Sequence, residues 1–145
     1  MSLAVHVATE GVRVPVARAR VVALAEGVLR REKVRNALLS VAFVTDRHIA
    51  ALNREHLDHS GPTDVISFGF ARDPRGAVVG DVYIAPGVAR RNALAHGRGV
   101  REELLRLVVH GVLHVLGHDH PEDESRYESR MWKRQERLLR TLGAA

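Results

Sequence analysis

The hydrophobic and polar positions of this chain follow two alternating periods. Short apolar or alternating runs, which are typical of strands, interleave with longer segments whose apolar residues recur every three or four positions, as in helices. The strand-like runs are residues 3–9, 37–45, 65–70 and 78–85. The helical segments begin after Pro15, at Asp46 (predicted as an N-cap), at Pro86, at Val100 and at Pro121, and reach about residues 33, 57, 96, 116 and 142.

The last two strand-like runs flank a segment rich in turn residues. This segment, ARDPRGA (71–77), contains Asp-Pro and Gly76, so we expect residues 65–70 and 78–85 to pair as an antiparallel hairpin. Strands interleaved with helices predict an α+β fold, in which a small mixed sheet of about four strands is covered by helices. Because 145 residues is the usual size of one domain, we expect a single domain over residues 1–145.

The fourth helical segment is apolar around most of its circumference. Its polar residues form one narrow stripe, made by Glu103, Arg106, His110 and His114. A helix that is apolar nearly all round is buried. We therefore expect this helix to be central in the fold, with its polar stripe facing a cleft.

The end of this helix carries a cluster of histidines in HGVLHVLGHDH (110–120). His110 and His114 are four residues apart, so their side chains lie on one helix face. Gly117 is expected to end the helix and to let the chain return, which makes His120 the third candidate ligand. Three histidines with an open fourth position are typical of catalytic zinc. We therefore predict one Zn²⁺ per chain, bound by His110, His114 and His120.

Two neighbouring residues are candidates for supporting roles. Asp119 is expected either to orient a ligand histidine or to serve as a turn residue. His118 is expected near solvent or the mouth of the cleft, as a bystander or a helper. The chain has no cysteine, so a thiolate metal site and a disulfide are excluded.

The histidine spacing also matches H-E-x-x-H-x-x-G-x-x-H of the metzincin proteases. In that pattern a glutamate after the first histidine is the general base, whereas this chain has Gly111. The sequence therefore argues against such a protease and points to no general base. A peptidase with Glu103 or Asp119 as its base remains an alternative.

The charge of the chain is compatible with a nucleic-acid partner. The formal net charge is +5, and arginine supplies most of the positive charge because Lys33 and Lys133 are the only lysines. Arginine suits phosphate, although a basic balance also fits a solvated surface. The few aromatic residues suggest no base-stacking platform. No run is long enough to span a membrane or to form a secretion signal, so we expect a cytoplasmic protein without a membrane partner.

Several segments together resemble the YbeY family of zinc-dependent endoribonucleases. HGVLHVLGHDH is similar to the family signature HGxLHLLGYDH, with His118 in place of the tyrosine. PTDVISF (62–68), GDVYIAP (80–86) and MWKRQERLL (131–139) resemble further family segments in the same order. The resemblance implies zinc on His110, His114 and His120. It also implies cleavage of single-stranded RNA, maturation of the 16S ribosomal RNA 3′ end, ribosome quality control and contact with the small ribosomal subunit.

One position departs from the resemblance. Family members usually have an arginine four residues after the asparagine that corresponds to Asn53, and this chain has Leu57 there. Leucine cannot hold an anion, so Arg54, His56 and His59 become the candidates for phosphate binding. The departure also leaves open a second alternative, a non-catalytic ribosome-assembly factor with a structural zinc.

Overall fold

The structure is a computed structural model that describes residues 2–143, so the first residue and the last two of the expected domain lie outside the described residues. The strands are β1 (Ser2–Thr9), β2 (Asn36–Phe43), β3 (Val65–Phe70) and β4 (Val78–Ile84). The helices are α1 (Arg18–Arg31), α2 (Asp46–Leu57), α3 (Pro86–Ala95), α4 (Val100–Val115) and α5 (Arg130–Leu142), and a 3-10 helix spans Glu124–Glu128. The predicted α+β fold class is confirmed.

The four strands form one mixed sheet in the order β1-β2-β4-β3. β1 pairs parallel with β2 and β2 with β4, whereas β3 runs antiparallel to β4. The turn between β3 and β4 is held by Asp73, whose Oδ1 accepts hydrogen bonds from the backbone N–H groups of Arg75 and Ala77. The predicted hairpin is therefore confirmed.

α4 lies in the centre of the fold, against β3 and β4, and it also contacts α1, α3 and α5. Glycines on both sides allow its close approach to β4. A Cβ added at Gly111 would lie 2.4 Å from Val82 Cγ1, and one added at Gly80 would lie 2.4 Å from Val115 Cγ1. The prediction of a central helix is confirmed, because α4 is the layer around which the main core is built.

The opposite face of the sheet carries a smaller apolar cluster under α2. Val41 belongs to the main core, whereas its neighbour Ala42 belongs to the smaller cluster with Ile49 and Ile66. Successive side chains of a strand point to opposite faces, so β2 contributes to both. The sheet therefore has α4 on one face and α2 on part of the other.

Some predicted boundaries are wrong because local capping chooses other residues. Thr45, not Asp46, is the N-cap of α2, since its side chain accepts a hydrogen bond from the His48 N–H (3.1 Å). The last helix begins at Arg130 rather than Pro121, because Ser129 caps it. α1 also begins later than the proline suggests, at Arg18, although no side chain caps it. Within residues 2–143, no helix is both long enough and apolar enough to cross a membrane.

Candidate functional site

The C-terminus of α4 turns the chain back over the helix. The backbone N–H of His118 bonds the carbonyl of Leu113 (3.0 Å) and that of Gly117 bonds the carbonyl of His114 (2.9 Å). These two bonds form a Schellman motif, which requires a left-handed residue after the helix cap. Gly117 has φ +99°. The helix therefore ends just before Gly117, as predicted, in a standard backbone turn that returns the next residues toward α4.

This turn brings His110, His114 and His120 together. The ring centroids are 4.7 Å apart for His110 and His114, and 5.0 Å apart for each of the other two pairs. One nitrogen from each ring lies within 4.8 Å of the others, so the three form a group that could hold a metal ion. The residues predicted as ligands from their spacing are thus the ones that the fold brings into one cluster.

The orientation of His110 is set by Gln135 on α5. The Gln135 side chain is fully buried, and its Oε1 accepts a hydrogen bond from His110 Nδ1 (2.6 Å). Its Nε2 donates to Glu136 Oε2 (3.0 Å), which also accepts from Arg106 Nε (2.9 Å). Because the amide can donate only through its nitrogen, this network directs Oε1 to the histidine. The proton on Nδ1 leaves Nε2 of His110 free as a ligand.

His120 is oriented by its own turn. The carbonyl of Pro121 accepts a hydrogen bond from His120 Nδ1 (2.7 Å), which again leaves Nε2 free. Asp119 Oδ1 accepts from the backbone N–H of His120 (2.8 Å). Asp119 therefore shapes the turn that presents the third histidine, and its contact is with backbone rather than with an imidazole.

Burial keeps two of the three imidazoles neutral. Desolvation lowers the pKa of His110 to about 4, against the opposing effect of the Gln135 hydrogen bond. Desolvation is also the largest cause of the lowered pKa of His114, followed by the charge of His120. Only a neutral imidazole can bind a metal. Both rings are therefore in the binding-competent form at neutral pH.

The three histidines line a cleft of about 720 Å³. Leu57 and His59 line the same cleft from the end of α2, and Leu57 is 44% exposed. Asp119 also lines it, whereas Arg54 is exposed on α2 and is not among the lining residues. Of the three residues suggested for phosphate binding, the cleft therefore includes His59 and neither Arg54 nor His56.

His118 points away from the cleft toward α1. Its Nε2 lies 2.8 Å from Glu32 Oε1, and the same carboxylate also pairs with Arg134 of α5. His118 therefore contacts Glu32 rather than a ligand histidine, which fits the bystander of the two roles that the sequence suggests. The reason is the Schellman turn, which separates the directions of residues 118 and 120.

Gly111, which differs from the metzincin pattern, lies on the face of α4 that packs against the sheet. Any side chain at Gly111 would meet Val82 of β4. A glutamate at this position could not reach the histidine cluster without opening the packing of α4 on the sheet. The glycine is therefore a packing requirement of this fold, and the absence of the protease base has a steric cause.

Sequence reasoning missed Gln135. The available signal was its position on α5: Met131, Leu138 and Leu139 are buried and lie on the same helix face as Gln135, four residues before or three and four residues after it. A polar residue among apolar positions of an amphipathic helix is expected to find a buried partner. The identity of that partner depends on how α5 packs on α4.

Comparisons with known proteins agree with the site. The sequence model of the family described as Endoribonuclease YbeY matches residues 6–143. A protein named endoribonuclease YbeY from Carboxydothermus hydrogenoformans is 42% identical over 113 residues, which cover 77% of each chain. Its namesake from Frankia alni is 38% identical, covering 99% of this chain and 84% of the relative.

A solved structure shares the fold. The solution structure of TM1509 from Thermotoga maritima aligns with a TM-score of 0.61 and 24% identity, covering 95% of this chain and 88% of that one. The family match extends over nearly the whole described chain and includes every residue of the histidine cluster. The chain therefore belongs to the endoribonuclease YbeY family.

Proposed function

We propose that this protein is a zinc-dependent endoribonuclease that cleaves single-stranded RNA in its histidine-lined cleft. The observation that carries the proposal is the group of His110, His114 and His120 at the wall of an open cleft. Family membership supports the reaction, since the curated relatives are named endoribonucleases.

The residues present fit a zinc ion. Zinc binds neutral imidazole nitrogens, and three protein ligands with one open position are typical of catalytic sites. In this chain, Gln135 and the Pro121 carbonyl occupy the Nδ1 atoms of His110 and His120. Such hydrogen bonds fix the ring orientation of metal ligands and increase their basicity. His110, His114 and His120 are therefore the residues that would hold the ion.

When bound, zinc would lower the pKa of water and stabilise negative charge that develops at a phosphoryl oxygen. The chain itself would supply rigid ligands: two lie on α4, whose other sides are packed in the core. It would also supply a concave wall that positions the phosphodiester. His59, which lines the cleft, remains our candidate for contact with RNA from the α2 side.

The proposed physiological substrate is ribosomal RNA. Family membership supports a role at the 16S 3′ end and in ribosome quality control, with the small ribosomal subunit as partner. The net charge of +5 favours a polyanionic substrate, because basic proteins attract nucleic acid without sequence specificity. A function on ribosomes would place the protein in the cytoplasm.

Two alternative functions are less well supported. A peptidase would need a base near the cluster, and Glu103 is engaged by Arg106 (2.8 Å) while position 111 has no room for a side chain. A structural zinc in an assembly factor would not require a cleft at the ligands. The experiment below separates both from the proposed nuclease.

The test combines metal analysis with a cleavage assay. The purified protein is expected to contain about one zinc per chain and to cleave a labelled single-stranded RNA, but not a duplex of the same sequence. A chelator should abolish cleavage and added zinc should restore it. His114→Ala should lose both the metal and the activity.

The matched control is His6→Ala, because His6 is exposed on β1 and does not line the cleft. It should leave metal content and cleavage unchanged. Unchanged RNA cleavage in His114→Ala, together with no stoichiometric metal, would overturn the proposal. Chelator-sensitive cleavage of an unfolded peptide, or ribosome co-sedimentation without nuclease activity, would support the peptidase or the assembly factor instead.

A further inference from the structure

Two aromatic side chains meet on the wall of the cleft. Tyr127 of the 3-10 helix and Trp132 of α5 both line it, and their ring centroids are 4.7 Å apart at an interplanar angle of 82°. Tyr127 is 38% exposed. The few aromatic residues of the sequence suggest no base-stacking platform, but the 3-10 helix, which falls within the predicted last helix, places Tyr127 against Trp132.

A cationic side chain lies beside this aromatic pair. The Arg126 guanidinium carbon is 4.9 Å from the centroid of the Tyr127 ring, and Nη2 donates a hydrogen bond to the Tyr127 hydroxyl (2.9 Å). Arg126 also lines the cleft. Stacking on an aromatic ring holds the planar guanidinium in place while its remaining N–H groups stay available.

Arg126 differs from Arg98 and Arg106, the other arginines of the cleft, in its ion pairing. Arg106 and Arg98 both pair with Glu103, and Arg106 pairs with Glu136 as well. In the part of the chain that the structure describes, no carboxylate lies within ion-pair distance of Arg126. Its positive charge is therefore available to an anion in the cleft.

Arg126 and the three histidines of the cluster line the same cleft. A polymer bound at the histidines could continue to Arg126 without leaving the cleft.

We propose that Arg126, Tyr127 and Trp132 form a nucleotide subsite, in which Arg126 binds a backbone phosphate and the aromatic pair stacks an unpaired base. Proteins that bind single strands combine backbone cations with aromatic rings in this way, and stacking accepts any base. A base in a duplex has no free face, so this subsite selects single-stranded RNA. The inference rests on the proposed RNA substrate and adds the residues that recognise it.

The first test uses the wild-type protein, because Trp132 is the only tryptophan of the chain. The probes are a single-stranded 2′-O-methyl RNA and an abasic strand of the same length, about 12 nucleotides. Stacking predicts that the base-containing strand quenches the Trp132 fluorescence on binding, whereas the abasic strand binds more weakly without quenching. Equal affinity and no quenching with either strand would overturn the stacking role.

The second test separates phosphate binding from stacking by substitution. Arg126→Gln should weaken both strands, and should reduce the slope of log affinity against log salt by about 0.7, the value for one phosphate contact on a single strand. The control Arg140→Gln removes the same charge from an exposed position of α5 outside the cleft. Equal affinities and salt slopes for Arg126→Gln and Arg140→Gln would overturn the phosphate role.

Tyr127→Ala should weaken the base-containing strand about tenfold more than the abasic strand, because the abasic strand loses only the positioning of Arg126. Trp132→Phe, which keeps a ring, should retain most of the affinity. An equal loss for both strands in Tyr127→Ala would count against stacking. These binding measurements do not require cleavage, so an inactive protein that shows the predicted pattern would refute the nuclease proposal and leave the subsite standing.

Discussion

Gln135 is the residue that connects the candidate metal centre to the rest of the molecule. Its Oε1 accepts a hydrogen bond from His110 Nδ1, and its Nε2 donates one to Glu136. Arg106 completes the network by bonding Glu136 and Glu103. The tautomer of a candidate metal ligand is thus fixed by a chain of partners that ends in a buried ion pair, which makes the amide a positioning residue.

Replacing this amide should weaken metal binding with little change of shape. In Gln135→Met the His110 ring loses its acceptor, so its tautomer and orientation are no longer fixed. We expect the zinc dissociation constant, measured by competition with a chromogenic chelator, to rise about 10- to 100-fold. Gln135→Glu keeps the acceptor for His110 Nδ1 but loses the donor to Glu136, so it should bind zinc more tightly than Gln135→Met. Equal affinity of Gln135→Met and the wild type would contradict the positioning role.

For individual residues of the site, the sequence predicts only those contacts that depend on helix geometry. The four-residue spacing of His110 and His114 and the turn at Gly117 are local, and both are found as expected. The contact between His110 and Gln135 spans 25 residues and two helices. The subsite at Tyr127 likewise depends on where the 3-10 helix ends. Such contacts follow from packing, which no local pattern contains.

Among the elements, α4 carries the site because it can lie directly on the sheet. Glycines 80 and 111 remove the side chains that would otherwise separate α4 from β4. The stripe pattern predicts that α4 is buried, and eleven of its residues are buried. It does not reveal that residue 111 faces β4, because a glycine gives no hydrophobic signal. The pattern also does not reveal where the last helix begins, because Ser129 caps α5 and the preceding Pro121 does not start it.

Adding one methyl group at the contact between α4 and β4 should destabilise the fold. In Gly111→Ala the new Cβ would meet Val82, so α4 must shift from β4. We expect the free energy of unfolding, measured by urea denaturation, to fall by about 1 to 3 kcal/mol. Gly99→Ala is the control, since Gly99 precedes the same helix with open space and an ordinary φ of −72°. A similar small change in both variants would contradict the close-packing argument.

Across the whole molecule, Glu32 ties three distant segments together. Its carboxylate at the end of α1 accepts from Arg134 of α5 and lies 2.8 Å from His118 Nε2, in the turn after α4. Its side chain is only 8% exposed. Burial raises the pKa of this carboxyl, but the hydrogen bonds from Arg134 and His118 outweigh burial, so the pKa lies below its ordinary value of 4.5.

Because the pKa of Glu32 is lowered, the stability that its carboxylate contributes depends on pH. The unfolded chain takes up the Glu32 proton near 4.5 and the folded protein only at lower pH, so the stabilisation is complete above 4.5 and is lost as the pH falls through the folded value. Glu32→Gln should therefore lower the free energy of unfolding near pH 7. Arg134 is 40% exposed and solvent screens the pair, so the expected loss is only about 1 kcal/mol.

Urea denaturation of both proteins near pH 7 and at about pH 3.5 measures this difference, which should shrink at the lower pH. Glu26→Gln is the control, because Glu26 lies on the same helix and has no ion pair within residues 2–143. It should show little difference from the wild type at either pH. A loss in Glu32→Gln that is the same at both pH values would mean that packing, rather than the charge of the carboxylate, holds α1 to α5 and to the turn that presents His120.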